Sequence, residues 1–421
     1  MKILVIGSGG REHALCQAFR RSKLSTTIFC ADGNAGIADT AECVDIKPND
    51  IHSLVEFAVA NQIDLTFVGG ETALALGIVD EFEKHNLKII GASKRAARLE
   101  ASKSFAKDFM ARHNIPTAAY ASANSSAEAL EILQSGQFGD ENSPVVVKAD
   151  GLAAGKGVII AGNRAEAARA IDELETLVGK EAVEKIVLEE YLAGREVSLL
   201  MFADGRNFAL MPPVRDHKRI FENDEGANTG GMGTVTDARL LTEADTRLII
   251  EKIIKPTLHG CKEENFPFRG ILFLGLMMTA DGAKVLEYNV RFGDPETQAV
   301  LVRLKTDLIE ICQAIIDRKL DRLNVEWHSG SSACVVLASK GYPQKAQTGD
   351  VISGLDKVSN DIHVFHAGTA KDASGNFITS GGRVLGVTAT GESLAEALEK
   401  TYRAVKEINW NGIQYRRDIG K

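Results

Sequence analysis

The stretch VVVKADGLAAGKGVII, residues 145–160, places a glycine-rich loop between two β-branched runs. The first run predicts a buried strand that delivers Lys148, and the second predicts a strand that turns back beside it. Glycine lets a backbone bend tightly and approach a ligand closely. The loop glycines are Gly151, Gly155 and Gly157. Since Lys148 and Lys156 add positive charge, the stretch predicts a lid over a polyphosphate, with a glycine-rich surface hairpin as the alternative.

This loop differs from the phosphate loop of the G-x-x-x-x-G-K-[ST] type. No serine or threonine follows Lys156, and the next element reads as a strand and not as a helix. The pattern therefore favours a polyphosphate site that is not of the P-loop kind.

Composition limits the classes of partner. The chain has 421 residues and a formal net charge of −8, which disfavours nucleic acid and anionic membranes. No run reaches the roughly 18 apolar residues of a membrane span, and the short apolar run at the N-terminus does not predict a signal peptide. Six scattered cysteines predict reduced core residues and a cytoplasmic protein.

The first 92 residues alternate between strands and helices. Apolar runs at 2–6, 27–30, 65–68 and 88–90 predict parallel strands of a doubly wound sheet. Ligands of such sheets bind beyond the carboxyl ends of the strands. In this chain those ends carry residues 7–11, 32–36 and 69–71.

The first strand-to-helix turn resembles a dinucleotide fingerprint only in part. Gly7 and Gly9 fit the pattern and Asp32 could bind a ribose, but Glu12 occupies the third glycine position. This substitution argues against the hypothesis that the protein is a nicotinamide-dependent oxidoreductase. Gly10 and Arg11 at the start of a helix instead suit a phosphate monoester.

The central third carries a long helix and a polar loop. Residues 93–114 read as one helix, on which Lys103 is expected to be a solvated surface group. Residues 215–233 are so rich in charge and glycine that they predict a surface loop. Residues 242–264 predict an amphipathic helix, and a strand-rich third unit begins near residue 326.

The second of two apolar strands, residues 283–290, carries an alternating polar pattern. Glu287, Asn289 and Arg291 are spaced by two and are expected to share one face. Carboxylate and amide oxygens suit Mg²⁺, which binds few protein ligands together with nucleotide phosphates. The arginine suits a phosphoryl group or a substrate carboxylate. A polar, solvent-facing strand is the alternative.

Six motifs in order resemble the phosphoribosylamine–glycine ligase (glycinamide ribonucleotide synthetase) family of ATP-grasp enzymes. They are GSGGREHAL (7–15), DGNAG (32–36), KADGLAAGKGV (148–158), DHKR (216–219), NTGGMG (228–233) and RFGDPETQ (291–298). The resemblance covers essentially the whole chain. It implies a multidomain α/β and α+β fold: a doubly wound domain at 1–100, an ATP-grasp domain at 101–326 with a mobile part at about 120–192, and a small strand-rich domain at 327–421.

The resemblance also implies a reaction and a set of sites. ATP would drive the joining of glycine to 5-phosphoribosylamine through glycyl phosphate, in de novo purine synthesis. ATP would meet Lys103, Lys148, Gly155, Lys156, Gly157, Glu189, Tyr191, Leu192 and Glu196. Mg²⁺ or Mn²⁺ would be held by Glu287 and Asn289. Catalysis would involve Lys148, Asp216, Lys218 and Arg291. Glycine and the ribosylamine would meet Gly9, Gly10, Arg11, Asn34, Glu71, Asp216, His217 and Arg291.

The chain departs from the family pattern at Gly70, at Ala227 and over residues 234–241, which puts loop order in question. Small-molecule substrates are the expected partners, and the protein is expected to be a monomer or weak homodimer. Two rival functions remain open: a sister ATP-grasp ligase with another carboxylate and amine, and a non-catalytic ATP-binding regulator.

Overall fold

The structure is a computed structural model that describes residues 1–152, 157–179 and 185–421. The predicted phosphate-covering residues Gly155 and Lys156 lie outside the described residues. Among the described residues, no helix combines the length and the apolar character needed to cross a membrane.

The N-terminal unit is a parallel sheet with helices on both faces, as the alternating pattern predicted. The strand order is β3-β2-β1-β4-β5. The strands are β1 (Lys2–Gly7), β2 (Thr27–Asp32), β3 (Glu42–Val44), β4 (Leu65–Val68) and β5 (Ile89–Ile90). The helices are α1 (Gly10–Arg20), α2 (Ile51–Ala60), α3 (Glu71–Leu76) and α4 (Ile78–Lys84).

The prediction of one helix over residues 93–114 was wrong. Two helices, α5 (Lys94–Ala101) and α6 (Lys103–Arg112), meet at Ser102, which has an extended backbone. The Ser102 hydroxyl accepts the amide of Phe105 and so caps α6. The break places Lys103 at the start of a new helix.

A small antiparallel sheet carries the glycine-rich loop, which confirms the strand–loop–strand prediction for its described ends. Its order is β6-β9-β7-β8. The elements are β6 (Tyr120–Ala123), α7 (Ser126–Gln134), β7 (Val145–Ala149), β8 (Val158–Ala161), α8 (Arg164–Val178) and β9 (Ile186–Glu190). The two helices pack on one face around the apolar side chains of β7 and β9.

A nine-stranded antiparallel sheet forms the rest of the molecule. Its order is β17-β16-β10-β12-β15-β18-β22-β19, with β11 beside β10. These strands are β10 (Arg195–Asp204), β11 (Phe208–Leu210), β12 (Val214–Asp216), β15 (Gly233–Thr236), β16 (Arg269–Thr279), β17 (Gly282–Asn289), β18 (Ser331–Ala338), β19 (His363–His366) and β22 (Arg383–Gly391). Two ribbons, β13 (Arg219–Phe221) with β14 (Glu225–Asn228) and β20 (Thr369–Lys371) with β21 (Phe377–Thr379), lie outside it.

Five helices cover this sheet. They are α9 (Glu243–Ile249), α10 (Lys255–Glu263), α11 (Glu296–Leu301), α12 (Leu308–Asp317) and α13 (Leu394–Val405). A π-helical turn, Ile250–Ile254, joins α9 to α10, so the predicted helix at 242–264 is one run with an irregular centre.

The sheet runs without a break from the central part of the chain into the last ninety residues. Strand β15 pairs with β18, where Thr234 lies opposite Cys334. The hydroxyls of Thr236 and Ser332 are 2.7 Å apart, and Arg303 Nη1 donates to Thr236 Oγ1 at 2.7 Å. The strand-rich C-terminal unit therefore shares its hydrogen bonding with the sheet that bears Glu287.

The prediction of residues 215–233 as an irregular surface loop was wrong in part. The segment contains β13, β14 and the end of β12, and His217 and Met232 are buried. The charged, glycine-rich composition predicted a loop, but the end of β12 pairs with β15, and β13 pairs with β14 within the segment. Arg416 of the C-terminal unit donates to the carbonyl of Arg219 and to Asp224.

The first and last units of the chain are also in contact. Asn34 Nδ2 donates to the carbonyl of His366 at 2.9 Å, and the amide of His366 donates to His13 Nδ1 at 2.8 Å. The cysteines in this region and elsewhere form no disulfide, and all but Cys43 are buried. The expectation that every cysteine lies in the core therefore fails at Cys43.

The core of the N-terminal unit gives a stability prediction. Phe82 on α4 is fully buried, whereas Val59 on α2 of the same unit is 54% exposed. Phe82→Ala is expected to lower the free energy of unfolding by about 3–5 kcal/mol because it leaves a cavity. Val59→Ala should change it by less than about 0.5 kcal/mol. Urea unfolding of both variants checks this, and equal effects would contradict the assigned packing.

Candidate active site

A cleft of about 830 Å³ lies where the small sheet, the large sheet and the N-terminal unit meet. Strands β7 and β9 line one side, β10 and β17 line the other, and α6 closes the back. Most predicted site residues within the described chain face this space. Gly9, Gly10 and Asn34 are not among its lining residues.

Two lysines reach the cleft from opposite sides. Lys148 comes from the end of β7, and its Nζ lies 3.3 Å from the carbonyl of Leu286. Lys103 comes from the start of α6, and its Nζ donates to the carbonyl of Gly151 at 3.1 Å. Lys103 is therefore not the surface group that the helix pattern alone predicted. Burial lowers its pKa below the usual value.

The break at Ser102 also anchors the glycine-rich loop. Asp150 accepts the amide of Ser104 at 2.5 Å and the hydroxyl of Ser102 at 3.1 Å. A carboxylate at the N-terminus of α6 is favoured by the helix dipole. Asp150 was not among the predicted site residues, although its position inside the lid motif was a usable signal.

Glu189, which the resemblance assigned to ATP, contributes its side chain to the cleft. Its carboxylate is buried between two lysines: Lys148 Nζ is 2.7 Å from Oε1, and Lys107 Nζ is 2.8 Å from Oε2. Lys107 was not predicted as a site residue. Burial lowers its pKa to about 8, while Glu189 opposes that effect.

An apolar slot follows Glu189 along the chain. Leu192 is buried and packs with Ala118 and Met277, while Leu286 lies against them. Tyr191 is 44% exposed at the mouth of the slot. Gly157, at the described end of the glycine-rich loop, also faces the cleft. A flat apolar base fits a slot of this kind.

The floor of the cleft holds Glu287 and Asn289, at the end of β17. Burial alone would raise the pKa of Glu287, but nearby cations outweigh burial and lower it. The largest contributions come from Lys218, Lys148 and Lys103. Glu287 is therefore held as a carboxylate.

This floor suits a hard divalent cation that arrives with a nucleotide. Glu287 and Asn289 offer one carboxylate and one amide oxygen, and among the described residues no group of three or more His, Cys, Asp and Glu side chains could hold a metal. Mg²⁺ commonly binds one or two carboxylates and takes its other ligands from phosphates and water. The residues fit such an ion, with phosphate completing the site.

Arg291 is fixed by two carboxylates from the N-terminal side. Its Nε is 3.2 Å from Glu71 Oε2, and its Nη2 is 2.8 Å from Glu100 Oε1. The same Nη2 donates to Asn289 Oδ1 at 3.2 Å. Glu100 was missed by the sequence analysis, because a single glutamate on a helix carries no motif.

A second group of charges occupies the far end of the cleft. Lys218 Nζ is 2.8 Å from Glu196 Oε2. Burial raises the pKa of Asp216 well above the usual value, and the nearby Glu296 raises it further. Arg383 Nη2 lies 3.5 Å from Asp294 Oδ1 beside them.

His217 lines the cleft, but its ring is already engaged. Nδ1 donates to the carbonyl of Gly233 at 3.0 Å, and Nε2 accepts the amide of Gly420 at 3.0 Å. Burial and then the neighbouring Arg215 lower the pKa of His217 to about 4. The ring is neutral and joins two parts of the chain.

The side chain of Glu12 fills the space beside the glycine turn at the start of α1. Glu12 accepts the amide of Gly9 at 2.6 Å and Arg11 Nε at 2.6 Å. A Cβ at Gly69 would lie 2.0 Å from Glu12 Oε1, so Glu12 fills the space that a dinucleotide fingerprint leaves open. Arg11 Nη1 donates to the carbonyl of Phe292 at 3.0 Å and reaches the cleft.

Comparison with family models assigns all three parts of the chain. Residues 1–100 match the phosphoribosylglycinamide synthetase N domain, 101–297 its ATP-grasp (A) domain and 332–421 its C domain. The chain belongs to the phosphoribosylglycinamide synthetase family. The three-part architecture predicted from the sequence is that of this family.

Relatives of similar length support this membership. The chain is 46% identical over 421 residues to a phosphoribosylamine–glycine ligase of Caldanaerobacter subterraneus subsp. tengcongensis, covering 100% of this chain and 99% of that one. It is 47% identical to the enzyme of that name from Haemophilus influenzae, covering 100% and 98%.

Solved structures share the architecture. A phosphoribosylamine–glycine ligase from Thermotoga maritima superimposes with a TM-score of 0.83 at 32% identity and 100% coverage of both chains. A biotin carboxylase domain from Hydrogenobacter thermophilus, solved with MgADP, gives 0.74 at 17% identity, covering 98% of this chain and 91% of that one. The second likeness concerns the fold alone.

The departures from the family pattern lie in or next to helices and strands. Gly70 is extended and precedes α3, and Ala227 lies in β14. Residues 234–241 include β15, where Thr234 Oγ1 donates to the carbonyl of Pro295 at 3.1 Å.

The neutral state of His217 gives a pH prediction. Its pKa in the folded protein is about 4, below the roughly 6.5 expected for an unfolded chain. The folded state therefore binds fewer protons, and the stability present above about pH 6.5 is lost progressively as the pH falls from 6.5 to about 4. At pH 5 this residue should cost about 2 kcal/mol of the free energy of unfolding.

The measurement compares urea unfolding at pH 7 and pH 5. In His217→Asn, the amide can replace the Nδ1 donor but cannot titrate. This variant should therefore lose less of its free energy of unfolding between pH 7 and pH 5. His52→Asn, at an exposed position, should leave this loss unchanged. If His217→Asn loses as much free energy of unfolding as the original protein, His217 is not a cause of the destabilisation at pH 5.

Proposed function

We propose that this chain is an ATP-dependent ligase that joins glycine to 5-phosphoribosylamine. The products are glycinamide ribonucleotide, ADP and phosphate, and the reaction belongs to de novo purine synthesis. The observation that carries the proposal is full-length identity of 46% to phosphoribosylamine–glycine ligases. The lysine-lined cleft beside Glu287 supplies a matching site.

ATP is assigned to the space between the two sheets. The adenine enters the slot beside Tyr191 and Leu192, with the backbone of residues 189–192 at its edge. Glu196 takes the ribose hydroxyls, and Lys103 and Lys148 take the phosphates. The glycine-rich loop, including Gly155, Lys156 and Gly157, covers the phosphates and excludes water, which an acyl phosphate requires.

Glu287 and Asn289 would hold Mg²⁺ or Mn²⁺, both hard ions that accept the same oxygen ligands. The ion would neutralise charge on the transferring phosphoryl group. The low pKa of Glu287 keeps this carboxylate ready to bind.

Positioning accounts for the rest of the chemistry. Arg291, held by Glu71 and Glu100, orients the glycine carboxylate towards the γ-phosphate. That carboxylate attacks the phosphorus and releases ADP. The ribosylamine nitrogen then attacks the carbonyl of glycyl phosphate, and phosphate leaves with the C–O bond electrons as the nitrogen gives up a proton.

The acceptor end of the cleft is assigned to glycine and the ribosylamine. Asp216 and Lys218 face the reacting groups from β12 and the turn that follows it. Arg11 and Glu71 reach the same space from the N-terminal unit. We assign Gly9, Gly10 and Asn34 to the turns that shape the ribosylamine end, and His217 to holding the adjacent segment.

Three units are proposed on this basis: residues 1–100 for the ribosylamine, 101–326 for ATP with a mobile part at 120–192, and 327–421 to close the site. The enzyme is proposed to act in the cytoplasm on small molecules, as a monomer or weak homodimer.

The reaction is tested by ADP release with Mg-ATP and freshly generated 5-phosphoribosylamine across a panel of amino acids and small carboxylates. ADP release should require both glycine and the ribosylamine. A requirement for another pair would identify a sister ligase, and no release with any pair would favour a nucleotide-binding regulator.

The metal assignment is tested with Glu287→Gln, which keeps the shape of the side chain but removes its charge. Mn²⁺ binding in the presence of ATP, measured by electron paramagnetic resonance, should weaken by at least about 100-fold. ADP release should fall in parallel. Glu326→Gln, far from the cleft and paired with Lys305, is the matched control. Unaltered Mn²⁺ binding in Glu287→Gln would overturn the assignment.

A further inference from the structure

The carboxylate of Glu189 is shared by two buried lysines that come from different parts of the fold. Lys148 and Glu189 lie on neighbouring strands of the small sheet, whereas Lys107 comes from α6. Glu189 and Lys107 are each 2% exposed, and Lys148 is 6% exposed. Burial at this level makes the balance of charge decisive, because an unpaired ion would be costly.

The two lysines are not bonded equally. Lys107 Nζ donates to Glu189 Oε2 at 2.8 Å and to Thr117 Oγ1 at 2.8 Å. Thr117 in turn donates to the carbonyl of Val285 at 2.6 Å. Lys107 is therefore fixed to the carboxylate and, through Thr117, to the strand that carries Glu287.

Lys148 makes fewer well-aligned hydrogen bonds than Lys107. Its Nζ is 2.7 Å from Glu189 Oε1, yet Oε1 accepts no hydrogen bond within the described residues, so the contact is electrostatic and poorly aligned. Its other contact is a 3.3 Å bond to the carbonyl of Leu286. An ammonium group has three donors, and Lys148 therefore retains the capacity to bind another acceptor.

We propose that Lys107 is a positioning residue for nucleotide binding: it serves as the permanent counterion of Glu189 and thereby leaves Lys148 free to bind the phosphates. The inference rests on the proposed function, which places the phosphates of ATP at Lys148. Two lysines and one carboxylate leave one net positive charge. Without Lys107, that charge would be cancelled by a tight Lys148–Glu189 pair.

The proposal separates a charge effect from a packing effect. Lys107→Met removes the charge at nearly constant volume, and Glu189 should then hold Lys148. Adding Glu189→Gln removes the carboxylate that holds it and restores the single net charge. If charge balance is the cause, removing the Glu189 charge should restore the ATP affinity that Lys107→Met lowers. If packing is the cause, the two substitutions should lower the affinity additively.

The test is isothermal titration calorimetry with Mg-ATP on Lys107→Met, Glu189→Gln and the double variant, each checked for its melting temperature. Lys107→Met should raise the Kd at least about tenfold, the equivalent of one charge-assisted hydrogen bond. The Kd of the double variant should lie within about threefold of that of the original protein, once the change caused by Glu189→Gln alone is subtracted. Lys305→Met, at a surface ion pair outside the cleft, should leave the Kd unchanged.

An unchanged Kd in Lys107→Met would overturn the proposal, as would a loss of affinity that Glu189→Gln does not repair. If Lys107→Met does not fold, Lys107→Gln, which can keep both hydrogen bonds without the charge, takes its place under the same criteria. Because the readout is nucleotide binding, its result is distinct from the glycine and ribosylamine dependence that tests the proposed function.

Discussion

The cleft depends on keeping several cations together, partly out of water, before any phosphate is present. Coulomb repulsion among them grows as water is excluded. The structure meets this constraint with carboxylates: Lys148 lies against Glu189, Lys218 against Glu196, and Arg291 against Glu71 and Glu100. These ion pairs offset the repulsion among the cations when no ligand is bound. Under the proposed function, they also set how easily each cation can exchange its carboxylate for a phosphate oxygen.

The same pairs connect parts of the fold that are distant in the chain. Glu71 and Glu100 precede the ATP-grasp region, yet both hold Arg291, which follows β17. Asn34 and His13 bond to His366, and His217 accepts the amide of Gly420. Since β15 pairs with both β18 and β12, the C-terminal unit supports the end of the cleft that carries Asp216 and is more than a covering layer. The family fold thus shapes one site with residues from all three of its units.

Local sequence patterns predicted helices and strands correctly where a single pattern, such as alternating apolar runs or a glycine-rich stretch, was strong. The alternation of apolar runs gave the parallel sheet of the first unit, and the glycine-rich stretch gave β7 and β8 on either side of a loop. The single helix over 93–114 failed, because Ser102 bonds to Asp150, some fifty residues away, and so ends one helix and starts another. The prediction of a loop at 215–233 failed in part for a similar reason, since Arg215 and Asp216 belong to a strand that pairs with β15, while β13 and β14 pair with each other within the segment.

The sequence by itself determined the family and its ATP-grasp fold, and it pointed to Glu287 and Asn289 as the proposed metal ligands, because short motifs keep those residues close in the chain. Tertiary structure alone decided that Lys107 shares Glu189 with Lys148, that Glu100 holds Arg291, and that Glu12 fills the glycine turn. For Lys103, the resemblance had assigned a contact with ATP, and the structure shows how the break at Ser102 brings this lysine to the cleft. Charge pairing acts through space over a few ångströms, and no local pattern records which distant side chains folding brings within that range.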